Sequence, residues 1–170
     1  MPPNLIRYFA YGSNMSSERL TARVGSVQDR GRAQAYGWRH CFNKRGADGT
    51  AKGNIVTAHP RSVVHGVVYE LDDAQWAALV GYEGGYHTIA IEVRGAQWLE
   101  QVAVLPAGGV TVRTFTALTP IAGLAPTAEY LRHYARGMSE HDINSDYRAR
   151  ILASANEAAP PPVVEDTGSG

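Results

Sequence analysis

A short turn near the amino terminus carries residues that could hold a small anion. Leu5 to Ala10 has the β-branched and aromatic composition of a strand, and Ser16 to Val24 has helix-forming composition. Between them lies Gly12-Ser13-Asn14, with Ser13 or Asn14 as the expected N-cap. Such a junction directs unpaired N–H groups and the positive end of a helix dipole at one point. The pattern predicts a carboxylate or phosphate site, although an ordinary N-capped turn has the same pattern.

A second candidate is a glutamate in a segment of aromatic residues and glycines. Glu83 lies between Tyr82 and Gly84-Gly85-Tyr86, just after a predicted helix. Aromatic neighbours can exclude water, and desolvation raises the pKa of a carboxyl group towards a value suited to proton abstraction near neutrality. From these residues alone, a solvent-exposed acid at a helix end is the simpler interpretation.

Composition bounds the class of protein. The 170 residues predict a single domain, and 44% apolar with 19% charged residues is typical of a globular chain. Sixteen basic residues balance sixteen acidic ones, so the charge favours neither nucleic acid nor an anionic membrane as a partner. Cys41 is the only cysteine, which excludes an intramolecular disulfide, and no Cys/His set has metal-ligand spacing. Without a signal sequence or a long apolar run, we expect a soluble cytoplasmic protein.

The elements that must position these residues form an α+β arrangement. Beyond the first strand and helix, strands are predicted at Ala33 to Asn43, Asn54 to Ala58, Val63 to Leu71, His87 to Val93, Trp98 to Leu105 and Val110 to Leu118. Further helices are predicted at Asp73 to Val80, Thr127 to Arg136 and Ser145 to Ala155. Hairpins in the middle and helices at the end favour α+β over a doubly wound sheet. One domain is expected over residues 1–155, followed by a disordered tail over 156–170.

The two candidate segments together resemble a known family. Phe9-Ala10-Tyr11-Gly12-Ser13-Asn14-Met15, followed much later by Tyr82-Glu83-Gly84 and an isoleucine-rich strand, is similar to the γ-glutamylcyclotransferases. That family includes the γ-glutamylamine cyclotransferases and the avirulence-induced plant proteins. The resemblance covers roughly residues 5 to 155. It implies a small mixed β-barrel with flanking helices.

The resemblance also implies a reaction, an intramolecular acyl transfer. The α-amino group of a γ-glutamyl substrate attacks its own side-chain carbonyl, closes a lactam and expels an amine or amino acid, leaving 5-oxoproline. Neither a cofactor nor a metal is needed. Glu83 is then the catalytic base, and the residues that would bind the substrate are Tyr8, Phe9, Ala10, Tyr11, Gly12, Ser13 and Asn14. The charge that develops on the carbonyl oxygen would be stabilised by backbone N–H groups of the turn or by the Tyr11 hydroxyl.

The chain departs from the family pattern on a late strand. Where animal members have a tyrosine that reaches the substrate, this chain has Phe115, after Arg113-Thr114. Phe115 is then also expected to bind the substrate, because a phenyl ring keeps a stacking surface. It lacks a hydroxyl donor, so the identity of the leaving group stays open. The resemblance also leaves two other functions open. One is a domain on the same scaffold that binds a carboxylate without catalysis, and the other is removal of a γ-glutamyl protecting group from a secondary metabolite.

Overall fold

The computed structural model describes residues 4–95 and 108–158. Its strands are β1 (Ile6–Ala10), β2 (Gln28–Tyr36), β3 (Trp38–Arg45), β4 (Ala51–Thr57), β5 (Val63–Leu71), β6 (Tyr86–Val93) and β7 (Val110–Ala117). Its helices are α1 (Ser17–Val24), α2 (Asp73–Tyr82), α3 (Ala128–Glu140) and α4 (Ser145–Ala158), and Ser13–Met15 forms a 3-10 turn. The predicted α+β class is confirmed. The predicted strand at Trp98 to Leu105 and residues 159–170 of the predicted tail lie outside the described residues.

Five strands form one curved sheet. Their order is β2-β5-β1-β7-β6, and β3 and β4 form a separate hairpin. Strand β1 is central: it pairs antiparallel with β5 and parallel with β7. The two edges of the sheet approach each other where Gln34 of β2 and Arg94, just after β6, exchange backbone hydrogen bonds of 2.8 Å. The edges therefore meet at an isolated bridge without a continuous ladder, so the sheet is barrel-like but does not close into a true barrel.

The single strand predicted from Ala33 to Asn43 is wrong, because the chain turns in its middle. Gly37 has φ of 82° and separates β2 from β3. Its N–H donates to Ser62 and its carbonyl accepts from Ala58, at 2.8 and 2.9 Å. Aromatic residues alternate on both sides of Gly37, so the sequence pattern did not indicate a break. The break is possible because glycine readily adopts the left-handed backbone conformation. As a result, the β3–β4 hairpin leaves the main sheet and is free to form a wall of a pocket.

The predicted end of the third helix at Arg136 is also wrong. Helix α3 continues through Gly137 to Glu140 because this glycine is a contact point and not a stop. A Cβ at Gly137 would lie only 2.5 Å from the Met15 Cβ and from the Ser16 backbone nitrogen. On the other side of the turn, the Tyr69 hydroxyl donates to the Met15 carbonyl at 2.8 Å. The 3-10 turn after β1 is thus packed between α3 and β5.

None of the described helices is both long enough and apolar enough to cross a lipid bilayer.

Candidate active site

A cavity of about 370 Å³ opens where the end of β1, helix α1, the end of α2 and the β3–β4 hairpin meet. Its size falls within the usual range for small-molecule sites. Aromatic side chains form much of the wall: Tyr8, Tyr11, Tyr82, Tyr86, Phe115 and Tyr130. Its ionisable groups, apart from the tyrosines, are one carboxylate, Glu83, and four cations, Arg19, Arg23, Lys44 and Lys52. The cavity therefore combines stacking surfaces with an excess of positive charge.

Glu83 lies in this cavity beside the predicted anion-binding turn. It is the C-cap of α2, and its backbone N–H donates to Val80 at 3.1 Å. Its side chain is only 14% exposed. Asn14 Nδ2 donates to the Glu83 Oε1 atom at 3.2 Å, although the two residues are 69 positions apart. The structure thus brings together the two segments on which the sequence prediction depended.

The surroundings of Glu83 favour the protonated form of its carboxyl group more than water does. Burial raises the pKa of its carboxyl group, and this effect outweighs the opposing influence of Arg23, Lys44, Arg19 and the Asn14 hydrogen bond. The nearest cation is Arg23, whose Nη1 lies 3.8 Å from Oε1. A desolvated carboxyl group with cations at moderate distance can take up and release a proton more readily near neutral pH than a free glutamate.

The turn itself differs from the expected helix start. The N-cap of α1 is Ser16, whose Oγ accepts from the Arg19 N–H at 3.3 Å, and not Ser13 or Asn14. The Asn14 side chain is engaged elsewhere, because its Nδ2 donates to both Tyr8 and Glu83 and its Oδ1 accepts from Arg23. Residues 13–15 form the 3-10 turn instead, so the backbone donors of this turn precede the first turn of α1.

Gly12 is needed for its small size. Its φ of −118° is open to any residue. A Cβ at this position would, however, lie 3.1 Å from the Tyr134 hydroxyl oxygen. That hydroxyl is in turn 2.8 Å from His40 Nε2, in a fully buried pair. The glycine therefore lets α3 side chains approach the backbone of the turn closely.

Tyr8 and Tyr11 both reach the cavity, although they belong to different core clusters on the two sides of β1. The Tyr8 hydroxyl accepts from Asn14 at 3.2 Å. The Tyr11 hydroxyl donates to the Phe115 carbonyl at 2.7 Å. That hydrogen bond uses the phenolic proton, so the Tyr11 hydroxyl is not free to donate to a ligand in this arrangement.

Phe115 forms part of an aromatic stack. Its ring lies parallel to Trp76 of α2, with centroids 5.3 Å apart and planes at 13°. It also meets the edge of Tyr8 at 5.8 Å. Helix α2 thus contributes Trp76 as a support for the Phe115 ring.

Phe9 and Ala10 are placed differently from the prediction that they bind substrate. Both side chains are fully buried and do not belong to the cavity wall. Phe9 packs in the cluster that includes Val64 and Val68, and its carbonyl accepts from Thr114 Oγ1 at 2.7 Å. Alternation along β1 places the two side chains on opposite faces of the sheet, and a core cluster covers each face, so both support the turn from within the core.

Several functional-site candidates were missed from the sequence. Arg19 Nε donates to Ser13 Oγ at 3.0 Å, and Arg23 Nη1 donates to Asn14 Oδ1 at 3.3 Å. Their spacing of four residues places both on one face of α1, a signal that was present in the sequence. Tyr86 was predicted only as an aromatic neighbour of Glu83, and Tyr130 had no local signal, because long-range contacts place both side chains at the cavity. The Tyr86 hydroxyl donates to the Gly53 carbonyl at 2.6 Å, and Tyr130 accepts from its N–H at 2.9 Å.

A separate polar cluster lies at the other end of α3. Donor atoms of Asp29, Glu140 and His141 lie within 4.8 Å of one another. Burial by itself would lower the pKa of His141, but hydrogen bonds to Asp29 at 2.6 Å and to the Gly137 carbonyl at 2.7 Å raise it. These contacts tie the start of β2 to the end of α3, and none of the three residues lines the cavity.

Known proteins share both the sequence pattern and the fold. The family model for gamma-glutamyl cyclotransferase, AIG2-like proteins matches residues 8–115, which include both the turn and Glu83. No curated protein matches the chain.

The chain is similar to three solved structures in particular. A gamma-glutamyl cyclotransferase has a TM-score of 0.76 at 20% identity, with 95% of this chain and 92% of the other covered. An uncharacterized protein from Homo sapiens has a TM-score of 0.73 at 22% identity, covering 88% and 87%. A gamma-glutamyl cyclotransferase specific to glutathione from yeast has a TM-score of 0.61 at 16% identity, covering 91% and 99%. At these identities the structures show a shared fold, and the family match over more than half of the chain shows its membership. The chain belongs to the AIG2-like gamma-glutamyl cyclotransferase family.

Proposed function

We propose that this protein is a γ-glutamyl cyclotransferase that converts a γ-glutamyl amine or γ-glutamyl amino acid into 5-oxoproline and the free amine. The observation that carries the proposal is the 3.2 Å contact between Asn14 of the turn and the Glu83 carboxylate inside one cavity. An anion-binding turn next to a desolvated base is what ring closure of a glutamyl group requires.

Glu83 acts as the general base and then as the general acid. The α-ammonium group of the substrate must lose a proton before its nitrogen can attack, and its pKa is about 8 compared with about 4.3 for a free glutamate. Burial raises the pKa of Glu83 and so narrows this gap. The same carboxyl group then returns the proton to the leaving nitrogen, so the reaction needs no external acid.

The turn holds the α-carboxylate of the substrate. The N–H groups of Met15 and Ser16 donate within the turn, to the carbonyl oxygens of Gly12 and Ser13. The N–H groups that come before Met15 in the turn are therefore the ones available to a ligand. Arg19 and Arg23 add positive charge beside them. Anchoring one end of a flexible glutamyl chain brings its amine and carbonyl together, and such orientation can supply several kcal/mol of the barrier.

The proposal is tested by incubating the protein with a set of γ-glutamyl compounds and measuring 5-oxoproline by mass spectrometry. Product formation from at least one compound is the expected result. Thermal stabilisation by a γ-glutamyl compound without any product would instead indicate a binding domain on the same scaffold.

Replacing Arg23 by methionine should shift the acid side of the pH–rate profile to higher pH. Positive charge from Arg23 lowers the pKa of Glu83, so its removal raises that pKa further. The base works only when deprotonated, and therefore kcat/KM should fall at a higher pH in the variant than in the wild-type protein. The measurement is kcat/KM across the pH range for both proteins.

The control for this experiment is Arg136→Met, which removes an equal charge from an exposed pair with Glu18. Its profile should coincide with that of the wild-type protein. An Arg23→Met profile that is unchanged, or displaced to lower pH, would contradict the role given to Glu83.

A further inference from the structure

The only two lysines of the chain face each other in the cavity wall. Of the 16 basic residues, all except Lys44 and Lys52 are arginines. Lys44 of β3 and Lys52 of β4 are direct partners across the hairpin, and both line the cavity. Like charges directly opposite each other on an antiparallel pair are destabilising. An anion between the two ammonium groups would turn this repulsion into attraction.

Aromatic rings hold both ammonium groups at the cavity. Lys44 Nζ lies 4.7 Å from the centroid of Tyr86, and Lys52 Nζ lies 4.5 Å from that of Tyr130. The hydroxyl groups of both tyrosines are anchored on Gly53, next to Lys52. Cation–π contact restrains a charged group without neutralising it. The two cations are therefore prepositioned, and their charge remains available to a ligand.

Among the described residues, a salt bridge compensates the charge of Lys52 but not that of Lys44. Lys52 Nζ pairs with Asp48 at 3.2 Å, and the Asp48 side chain is 54% exposed. Within residues 4–95 and 108–158, Lys44 has no carboxylate at salt-bridge distance. A salt bridge with an exposed partner, such as the one between Lys52 and Asp48, contributes little free energy. It therefore does not remove the positive potential of the hairpin.

The substrate group that all γ-glutamyl compounds share does not account for this charge. A γ-glutamyl moiety carries one ammonium and one carboxylate, so it has no net charge. Its carboxylate is assigned to the turn, where the supporting cations are Arg19 and Arg23 of α1. The lysines belong to a different element, and the cavity still holds four cations against the single carboxylate of Glu83.

We propose that Lys44 and Lys52 form a subsite for a carboxylate on the leaving part of the substrate. The inference rests on the proposed function and narrows it. The preferred substrates are γ-glutamyl amino acids or peptides whose leaving group has a free carboxylate, and γ-glutamyl amines are poor substrates.

A matched pair of compounds tests the subsite. γ-Glutamyl-alanine and γ-glutamyl-alaninamide share the glutamyl group and differ in the charge of the leaving group. We expect kcat/KM for 5-oxoproline release to be about tenfold or more higher for the acid, the usual scale of a hydrogen bond to a charged group. Lys44→Met and Lys44→Met with Lys52→Met should remove most of this preference by slowing the acid alone.

Two further variants serve as controls. Arg45→Met removes a charge from an exposed position of the same hairpin and should keep the wild-type preference. Lys44→Arg retains the charge and should keep a preference for the acid. Circular dichroism and thermal unfolding establish that each variant is folded.

The outcomes separate this proposal from the proposed function. If the wild-type protein releases 5-oxoproline from both compounds equally well, or if Lys44→Met slows both equally, the lysine subsite is overturned. If the wild-type protein releases no 5-oxoproline from either compound, the proposed function fails for these substrates. Calorimetry then measures how tightly the Glu83→Gln protein binds each compound, and this comparison tests the subsite. The subsite is supported if the acid binds more tightly than the amide and this difference disappears when both lysines are replaced by methionine. Equal binding of the acid and the amide overturns the subsite.

Discussion

Replacing Glu83 by glutamine is expected to lower kcat/KM for 5-oxoproline release by about a hundredfold to ten-thousandfold, the range that general acid–base catalysis usually contributes. The amide has nearly the shape of the carboxyl group and still offers an oxygen to Asn14, which donates to Glu83 at 3.2 Å. It cannot take a proton from the substrate ammonium group at neutral pH. Steady-state kinetics with mass-spectrometric detection of the product measures the loss.

The stability of the Glu83→Gln protein gives an independent check. Because burial raises the pKa of Glu83, the ionised carboxylate is less favourable in the folded than in the unfolded chain. The wild-type free energy of unfolding should therefore fall as the pH rises from the ordinary pKa of glutamate through the raised one, and the variant should lack this contribution. Glu18→Gln, at a side chain that is 76% exposed, is the matched control for loss of a carboxylate. Near-normal turnover by Glu83→Gln would refute the assignment of the base.

The second large effect is expected from Gly137→Ala, at a position far from Glu83 in the sequence. A Cβ at this position would overlap the backbone around Met15 and Ser16, which cannot move aside as a flexible side chain can. We expect a loss of about 1–3 kcal/mol in the free energy of unfolding, the usual cost of overpacking. Because α3 must then move away from the 3-10 turn, kcat/KM should fall as well. Urea denaturation and steady-state kinetics measure the two effects.

Gly81→Ala is the matched control, since it makes the same substitution in helix α2. Nothing lies within 4 Å of a Cβ at Gly81. Alanine is favoured over glycine inside helices, so this variant should gain about 0.5–1 kcal/mol. A Gly137→Ala protein as stable as the wild type would show that the close approach of α3 to the turn is not needed.

Local features of the fold were predictable because their signals are local. Strand β5 has the predicted bounds, and β1, β6, β7 and α2 lie within two residues of theirs at each end. Asp72 forms a capping box with Gln75, because an acid directly before a helix can accept from a backbone N–H of its first turn. Two of the errors fell on glycines: the predicted strand continued through Gly37, and Gly137 was taken as the end of a helix. One makes a turn inside a predicted strand, and the other a close contact inside a helix. Residue type alone does not distinguish a glycine that makes a left-handed turn from one that allows two elements to approach closely.

By itself, the sequence determined the α+β class, the turn at Gly12 to Asn14 and the family, because these depend on residue types and short spacings. Only the tertiary structure decided that Glu83 is buried against Asn14 and that Lys44 faces Lys52 in the same cavity. Burial, pKa and charge balance arise from neighbours that are distant in the chain. The long-range packing of α3, the β3–β4 hairpin and the curved sheet supplies those neighbours.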